Sequence, residues 1–302
     1  MSNLIRFQYG GHATFPVRYG WLPKGASRLK NEGAFVANAV TADDLGLGSK
    51  MVDSLGYWLD MTGIGAPREG RRSAIEPSSL NALILGHDPY FELPGTWWFL
   101  HLALARREGT VWSWFFNDHM DRIFDRVACT DAFLQFTRSH AIRPATPGAA
   151  QREIACLIGS YAARPGVDLV DPADVGACPL RELGLIVRHE AVNRFERTRH
   201  PHAVPVEAFL ASASVLAGDL DKSALSLREL ASVRGGPGRV LCMGFDAIEE
   251  MVGKIGGERW PDGIRVETSA GERHLIVSPR EPGFWLAELY ARVKSRATKA
   301  VA

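Results

Sequence analysis

The stretch AFVANAVTADDLGLGSKMVDSLGYWLDMTGI, residues 34–64, decides how the N-terminal part of this chain folds. It predicts two short helices joined by a tight turn, because Thr41 can cap the first helix and Gly46 can take the left-handed conformation that ends it. Ser49 can cap the second helix. Apolar residues recur in that helix at helical spacing, which predicts that one face packs inward: Val52, Leu55 and Leu59.

The second helix of this pair has the features of a DNA recognition helix. Its first turn carries Ser49 and Lys50 beside the tight turn, and Ser54 lies off the apolar stripe. We therefore expect these three residues to face the major groove of DNA. An ordinary helical hairpin is the alternative, since helix-turn-helix patterns have many false positives.

The segment after this helix predicts a short basic hairpin. Residues 64–76, IGAPREGRRSAIE, combine a proline and glycine turn signal with three arginines: Arg68, Arg71 and Arg72. A recognition helix followed by such a hairpin is the arrangement of a winged helix, whose arginines would contact phosphates. A solvated basic loop is the alternative, because Glu69 and Glu76 dilute the charge.

A stretch dense in aromatic and cationic residues lies upstream, at residues 11–25, GHATFPVRYGWLPKG. Pro16 and Pro23 break regular structure, so this segment is predicted to be a shaped loop or short strand. Its rings could stack on bases while Arg18 and Lys24 contact phosphates. The same rings could instead anchor the N-terminal segment on the core, and the residues alone do not separate these two interpretations.

Three blocks of the sequence resemble the hallmark blocks of one prokaryotic family: YGGHATFPVRYGWLPKG (9–25), DDLGLGSKMVDSLGYWLDMTGI (43–64) and HDPYFELPGTWWFLH (87–101). That family, formerly of unknown function, is associated with DNA phosphorothioation gene clusters and includes SspB-type DNA-nicking proteins. The resemblance covers roughly the first third of the chain. It implies that the chain cuts or grips DNA so that sulfur can replace a non-bridging phosphate oxygen. It also implies cysteine desulfurase and other phosphorothioation proteins as partners.

The composition predicts a cytoplasmic globular protein of two or three modules. The 302 residues include 35 basic and 34 acidic ones, so any DNA-binding surface must be a local patch. The chain has no evident leader and no apolar run long enough to predict a membrane span. Its scattered cysteines contain no CxxC pair, which argues against a zinc ribbon and favours reduced thiols: Cys129, Cys156, Cys178 and Cys242.

The periodicity predicts a mainly α protein with small β elements. A winged helix-turn-helix module is expected at residues 1–92, a helical middle body at 93–235 and a small α+β region at 236–302. In this last region, two alternating runs around Gly271 predict a β-hairpin, and an amphipathic helix follows it.

Two acidic groups could support metal-dependent hydrolysis. Asp118 and Asp121 lie three residues apart on a predicted helix, where they could share a face and hold Mg²⁺ or Mn²⁺. Asp88 and Glu92, in a block that carries the family resemblance, could supply a ligand or a general base. Each group also has a structural interpretation, since Asp118 can cap a helix and Asp88 before Pro89 favours a turn.

With the resemblance, these features favour a double-stranded-DNA-binding protein that nicks one strand in a phosphorothioation defence system, as a metal-dependent endonuclease. The alternative is a non-catalytic DNA-binding adaptor or regulator that recruits sulfur-transfer enzymes. No recognised nuclease motif and no nucleotide-binding lysine loop is present in the sequence. Two or three carboxylates that converge in a basic cleft would favour the enzyme over the adaptor.

Overall fold

The computed structural model describes residues 4–68, 71–163, 178–201, 203–269 and 271–301, without the side chains of 71–73 and 299–301. The chain divides into two compact units, Met1–Arg197 and Thr198–Ala302, where the sequence suggested three parts. The fold is mainly helical with small sheets, as predicted. Among the helices described, none is both long enough and apolar enough to cross a bilayer.

The first unit opens with helices packed around a small antiparallel sheet. Their bounds are α1 (Trp21–Glu32), β1 (Phe35–Val36), α2 (Ala39–Leu45), α3 (Ser49–Met61), β2 (Gly65–Arg68), β3 (Arg71–Pro77) and α4 (Ser79–His87). The strand order is β1–β3–β2, with Phe35 opposite Ile75 and Gly65 opposite Pro77. Glycine is needed at position 65, because a Cβ there would lie 2.3 Å from the Ile75 Cγ2 atom.

Helix α2 ends at the predicted residue but begins with a different cap. Gly46 follows α2 with φ 64°, the left-handed conformation expected of it. The predicted cap at Thr41 is wrong, because Asn38 caps α2 by accepting the Thr41 N–H on its side-chain oxygen at 2.8 Å. The Thr41 hydroxyl instead donates to the Val36 carbonyl at 2.7 Å, which joins α2 to β1.

The rest of the first unit is a helical body with a second sheet. Its elements are α5 (Pro94–Arg106), α6 (Val111–Asn117), β4 (Ile123–Phe124), α7 (Arg126–His140), α8 (Pro147–Tyr161), β5 (Ala162–Ala163), β6 (Ile186–His189) and β7 (Arg194–Arg197). The strand order is β4–β7–β6–β5, and β5 runs parallel to β6. Large aromatic side chains fill the core, among them Trp58, Trp98, Trp112, Phe115, Phe116 and Phe133.

The second unit contains α9 (Val206–Leu220), β8 (Ala224–Ser226), α10 (Leu227–Ser232), α11 (Pro237–Val240), α12 (Phe245–Gly256), β9 (Arg265–Ser269), β10 (Glu272–Ile276) and α13 (Pro282–Val301). The hairpin β9–β10 turns at Gly271 and confirms the one predicted there. Strand β8, inside the predicted helical body, pairs with β10, so the C-terminal unit starts earlier than position 236. The buried Trp285 indole donates to the Ser214 hydroxyl at 2.9 Å and joins α13 to α9.

Candidate nucleic-acid interface

The solvent-exposed part of α3 is its first turn. Ser49 is exposed and begins the helix after Gly48, which takes the cap position predicted for Ser49. The Lys50 side chain is 80% exposed, with its Nζ atom 3.8 Å from a carboxylate oxygen of Asp53. Ser49 and Lys50 are therefore accessible to a ligand. The apolar stripe is buried as predicted: Val52, Leu55 and Leu59.

Ser54 does not face solvent, so the expectation that it contacts DNA is wrong. Its side chain is fully buried, and its Oγ atom lies 3.5 Å from the Phe15 carbonyl oxygen. The indole N–H of Trp58 donates to the same carbonyl at 3.0 Å. Ser54 lies about 200° around the helix from Val52, on a different face from the apolar stripe. A second element must therefore cover that face, and the spacing of the stripe could not predict it.

That second element is the loop that carries the first family-like block. A Cβ at Gly11 would lie 2.4 Å from the Tyr57 ring, so the backbone there packs directly on α3. Ala13 and Thr14 have φ values of 46° and 71°, a left-handed conformation that costs energy for residues other than glycine. The surrounding contacts must hold this conformation, which favours the anchoring interpretation of the loop.

The contact that holds the loop is a buried carboxylate that the sequence did not single out. The Glu153 Oε1 atom on α8 accepts the Gly10 N–H at 2.5 Å. The same oxygen lies 3.2 Å from the His12 Nε2 atom, within ion-pair range but without the alignment of a hydrogen bond. Both side chains are buried. Because the partners lie 143 positions apart, no local pattern could have found Glu153.

The two predicted DNA-binding cations of this block are held by contacts within the protein. The Arg18 guanidinium lies 5.6 Å from the ring centres of Phe15 and Trp21. The exposed Lys24 ammonium donates to the Leu45 carbonyl at 3.0 Å, at the end of α2. Lys24 thus stabilises the turn before α3, and its ammonium group remains exposed to solvent. A role for Arg18 and Lys24 in DNA binding stays a prediction.

The basic hairpin predicted after α3 is formed by β2 and β3. Arg68, at the end of β2, is about half exposed, with its Nε atom 3.1 Å from the Glu76 carboxylate. The backbones of Arg71 and Arg72 lie in β3, and their side chains are outside the described residues. A single exposed ion pair holds little energy, so Arg68 can exchange Glu76 for a phosphate at small cost.

Asp88 closes a turn, as its position before Pro89 predicts. Its Oδ1 atom accepts the Glu92 N–H at 2.8 Å, and its Oδ2 atom accepts the Leu93 N–H at 3.1 Å and the Thr96 hydroxyl at 2.6 Å. The residue is buried, whereas Glu92 is exposed. Both carboxylate oxygens of Asp88 are therefore committed to the start of α5.

Asp118 and Asp121 do not share a helix face, so that expectation is wrong. Helix α6 ends at Asn117, Asp118 caps its C-terminal end, and the residues that follow are not helical. The side chain of Arg197 on β7 donates to the carbonyls of His119 and Asp121 and fixes this irregular segment. These side-chain hydrogen bonds satisfy carbonyls that a continued helix would have paired with backbone N–H groups.

His119, between the two aspartates, is a buried neutral histidine. Its ring lies among those of Trp114, Phe115 and Phe124, and its Nε2 atom has no hydrogen-bond partner among the described residues. Burial, reinforced by the Arg197 cation, lowers the pKa of His119 to about 4.

The low pKa of His119 predicts a loss of stability in acid. Because the ordinary pKa is 6.5, the unfolded chain takes up this proton first as the pH falls. The free energy of unfolding should be unaffected by His119 above pH 6.5 and decrease between about pH 6.5 and about pH 4. His119→Phe, which cannot titrate, should gain about 3 kcal/mol relative to wild type over that interval. Urea unfolding at several pH values measures this, and parallel pH profiles of the two proteins would contradict it.

The divalent cation expected from the two acidic groups can be tested against these side chains. Throughout the described ranges, no group of three or more His, Cys, Asp or Glu side chains is arranged to hold a metal ion. Asp88 is committed to a turn, and Asp118 and Asp121 lack a common helix face. The described residues therefore do not fit the expected carboxylate site.

Comparisons with known proteins agree with the family resemblance. The family model described as "Protein of unknown function (DUF4007)" matches residues 9–289. The solved structure titled "SspB crystal structure" has a TM-score of 0.79 and 20% identity, over 97% of this chain and 89% of that chain. "Magnesium ion-bound SspB crystal structure" has a TM-score of 0.81 and 22% identity, over 97% and 90%. No curated protein matches the chain. The likeness to SspB shows a shared fold.

Proposed function

We propose that this chain, which belongs to the DUF4007 family, is a duplex-DNA-binding protein of a DNA phosphorothioation system. The order α1–β1–α2–α3–β2–β3, with strands arranged β1–β3–β2, is the observation that carries the proposal. It is the order of a winged helix-turn-helix module, in which α3 would enter the major groove and β2–β3 would be the wing. The SspB fold and the family resemblance support the phosphorothioation context.

Two exposed parts of this module would meet DNA. Ser49 and Lys50 begin α3, and the first residues of a recognition helix are those that contact base edges. The wing carries three arginines that would contact phosphates: Arg68, Arg71 and Arg72. The formal net charge of the chain is only +1, so this local patch would supply the electrostatic affinity.

Replacing Lys50 tests the orientation of α3. Lys50→Ala should weaken binding of a short duplex about tenfold at low salt, because one phosphate or base contact is lost. The melting temperature should stay nearly constant, since the Lys50 side chain is 80% exposed. Fluorescence anisotropy with labelled duplex measures the affinity.

Lys254→Ala, which removes an exposed lysine of α12 in the second unit, is the matched control and should bind duplex as wild type does. Equal affinities for wild type and Lys50→Ala would show that α3 does not present its first turn to DNA.

Strand nicking is a second proposed activity, supported by the family resemblance and by the magnesium ion bound in one SspB structure. Hydrolysis of a phosphodiester needs an activated water and a cation near the developing charge. The carboxylates whose removal tests this activity are those expected from the sequence: Asp118, Asp121, Asp88 and Glu92. The competing function is that of an adaptor that holds DNA while cysteine desulfurase and other sulfur-transfer proteins act on it.

A supercoiled plasmid separates the enzyme from the adaptor. A nicking enzyme should convert the plasmid to open circles with Mg²⁺ or Mn²⁺ and should stop in chelator. Plasmid that is bound but stays supercoiled in every metal would favour the adaptor. Two double variants test the four carboxylates: Asp118→Ala/Asp121→Ala and Asp88→Asn/Glu92→Gln. If both variants nick the plasmid as fast as wild type, the chain is a nicking enzyme but these four residues take no part in catalysis.

A further inference from the structure

The second unit repeats the element order of the first. Its sequence of elements is α9–β8–α10–α12–β9–β10, with the short α11 inserted before α12, and its strand order is β8–β10–β9. The first unit has α1–β1–α2–α3–β2–β3 and strand order β1–β3–β2. Helix α12 thus occupies the position of α3, and the hairpin β9–β10 occupies the position of the wing.

The two corresponding helices also bury similar stripes. In α3 the buried stripe is Val52, Leu55 and Leu59, and in α12 it is Ile248, Val252 and Ile255. Each stripe has helical spacing, and each helix packs within its own unit: α3 on α1 and α2, and α12 on α10, the counterpart of α2. Outside these stripes, α3 exposes mainly its first turn, whereas α12 exposes residues along its whole length.

The exposed face of α12 has the wrong charge for DNA. Asp246, Glu249 and Glu250 are all exposed, against one exposed cation on the same helix, Lys254. Glu249 is the member of this acidic face that has a partner, with its Oε1 atom 3.6 Å from Arg273 on β10. Asp246 and Glu250 form no ion pair with any described residue. Carboxylates in this position would repel the phosphates that Lys50 attracts in the first unit.

The adjacent hairpin does not reverse this charge. Arg265 on β9 is 2.7 Å from the Glu267 carboxylate, so its charge is compensated on the same strand. Arg273 is paired with Glu249, and Glu272 adds another exposed carboxylate. The wing position of the second unit therefore carries two arginines and two glutamates, whereas that of the first carries three arginines and two glutamates.

An exposed aromatic ring accompanies the acidic face. Phe245 begins α12 and is 51% exposed, one helical turn before Glu249. Large aromatic residues at the centre of a polar rim are typical of the sites that dominate binding between proteins. A carboxylate rim requires a partner surface of opposite charge.

We infer that the second unit is a winged helix-turn-helix module whose α12 face docks a basic protein surface instead of DNA. The face consists of Phe245, Asp246, Glu249 and Glu250. Its occupant would be a segment of a partner protein that places lysine or arginine side chains against the carboxylates and an apolar contact against Phe245. The inference does not depend on DNA binding by the first unit.

The full chain can be tested with two labelled peptides of equal positive charge. One is a helical peptide with lysine and leucine at amphipathic spacing, and the other replaces each leucine with serine. The wild-type chain should bind the lysine–leucine peptide more tightly. Asp246→Asn/Glu250→Gln and Phe245→Ala should each weaken that binding at least fivefold, whereas Asp131→Asn/Glu281→Gln removes two exposed carboxylates elsewhere and should not. Anisotropy measures each affinity.

The same variants measured with duplex DNA separate the two ligands. Asp246→Asn/Glu250→Gln should change the DNA affinity less than twofold, because the α12 face does not approach phosphates. Equal peptide binding by wild type, Phe245→Ala and the acidic-face variant would overturn the inference. So would a DNA affinity that rises several-fold in the acidic-face variant, since that result would place α12 against DNA.

Discussion

Glu153→Ala should lower the free energy of unfolding by about 2–4 kcal/mol, because a buried donor loses its acceptor and a cavity is opened. The variant would leave the Gly10 N–H without its acceptor and the buried His12 ring without the carboxylate oxygen beside it. It would also open a cavity beneath the loop, which a well-packed core does not refill. The strained conformation at Ala13 and Thr14 would then lose the contact that holds it.

Glu153→Gln keeps the shape and an acceptor for Gly10, so its loss of stability should be clearly smaller. Asp131→Ala, which removes an exposed carboxylate from α7, is the control and should stay within about 0.5 kcal/mol of wild type. Urea unfolding measures all three. A Glu153→Ala variant within 1 kcal/mol of wild type would show that Glu153 does not hold the loop on α3.

Arg68→Ala/Arg71→Ala/Arg72→Ala should weaken duplex binding by about two orders of magnitude at 0.1 M salt, if each arginine neutralises one phosphate. The loss should be similar for duplexes of different sequence, because phosphate contacts carry no sequence information. The stability cost should be small, since Arg68 makes an exposed ion pair with Glu76.

The matched control removes three exposed arginines elsewhere in the chain: Arg138, Arg152 and Arg228. This control has the same net charge as the wing variant, so it reports any loss due to overall charge alone. Duplex affinity should be close to wild type in the control. Equal losses in the two triple variants would mean that the wing has no special role.

The parts of the fold that could be predicted are those determined by residues close together in the sequence. The end of α2 could be predicted because glycine, here Gly46, readily takes the left-handed conformation. The buried face of α3 could be predicted from the helical spacing of Val52, Leu55 and Leu59. The hairpin at Gly271 follows from alternation on either side of a turn residue. Each of these depends on neighbours within a few positions.

The parts that could not be predicted depend on distant partners. Ser54 is buried by Phe15, and the helix expected at Asp118 is ended by contacts from Arg197. Glu153 meets Gly10 across 143 positions. The repeated element order of the second unit could not be predicted from the sequence, because β8 spans only Ala224–Ser226 and is too short to show an alternating pattern.

The salt dependence of duplex binding tests the central claim most directly, that the first unit binds DNA through its β2–β3 hairpin. Log affinity plotted against log salt should fall steeply for wild type and for the Arg138, Arg152 and Arg228 control. For the wing variant, the slope should be shallower by up to about three units, one for each lost phosphate contact. A wing variant with the slope of wild type, or a wild-type chain without measurable affinity for duplex at low salt, would contradict the claim.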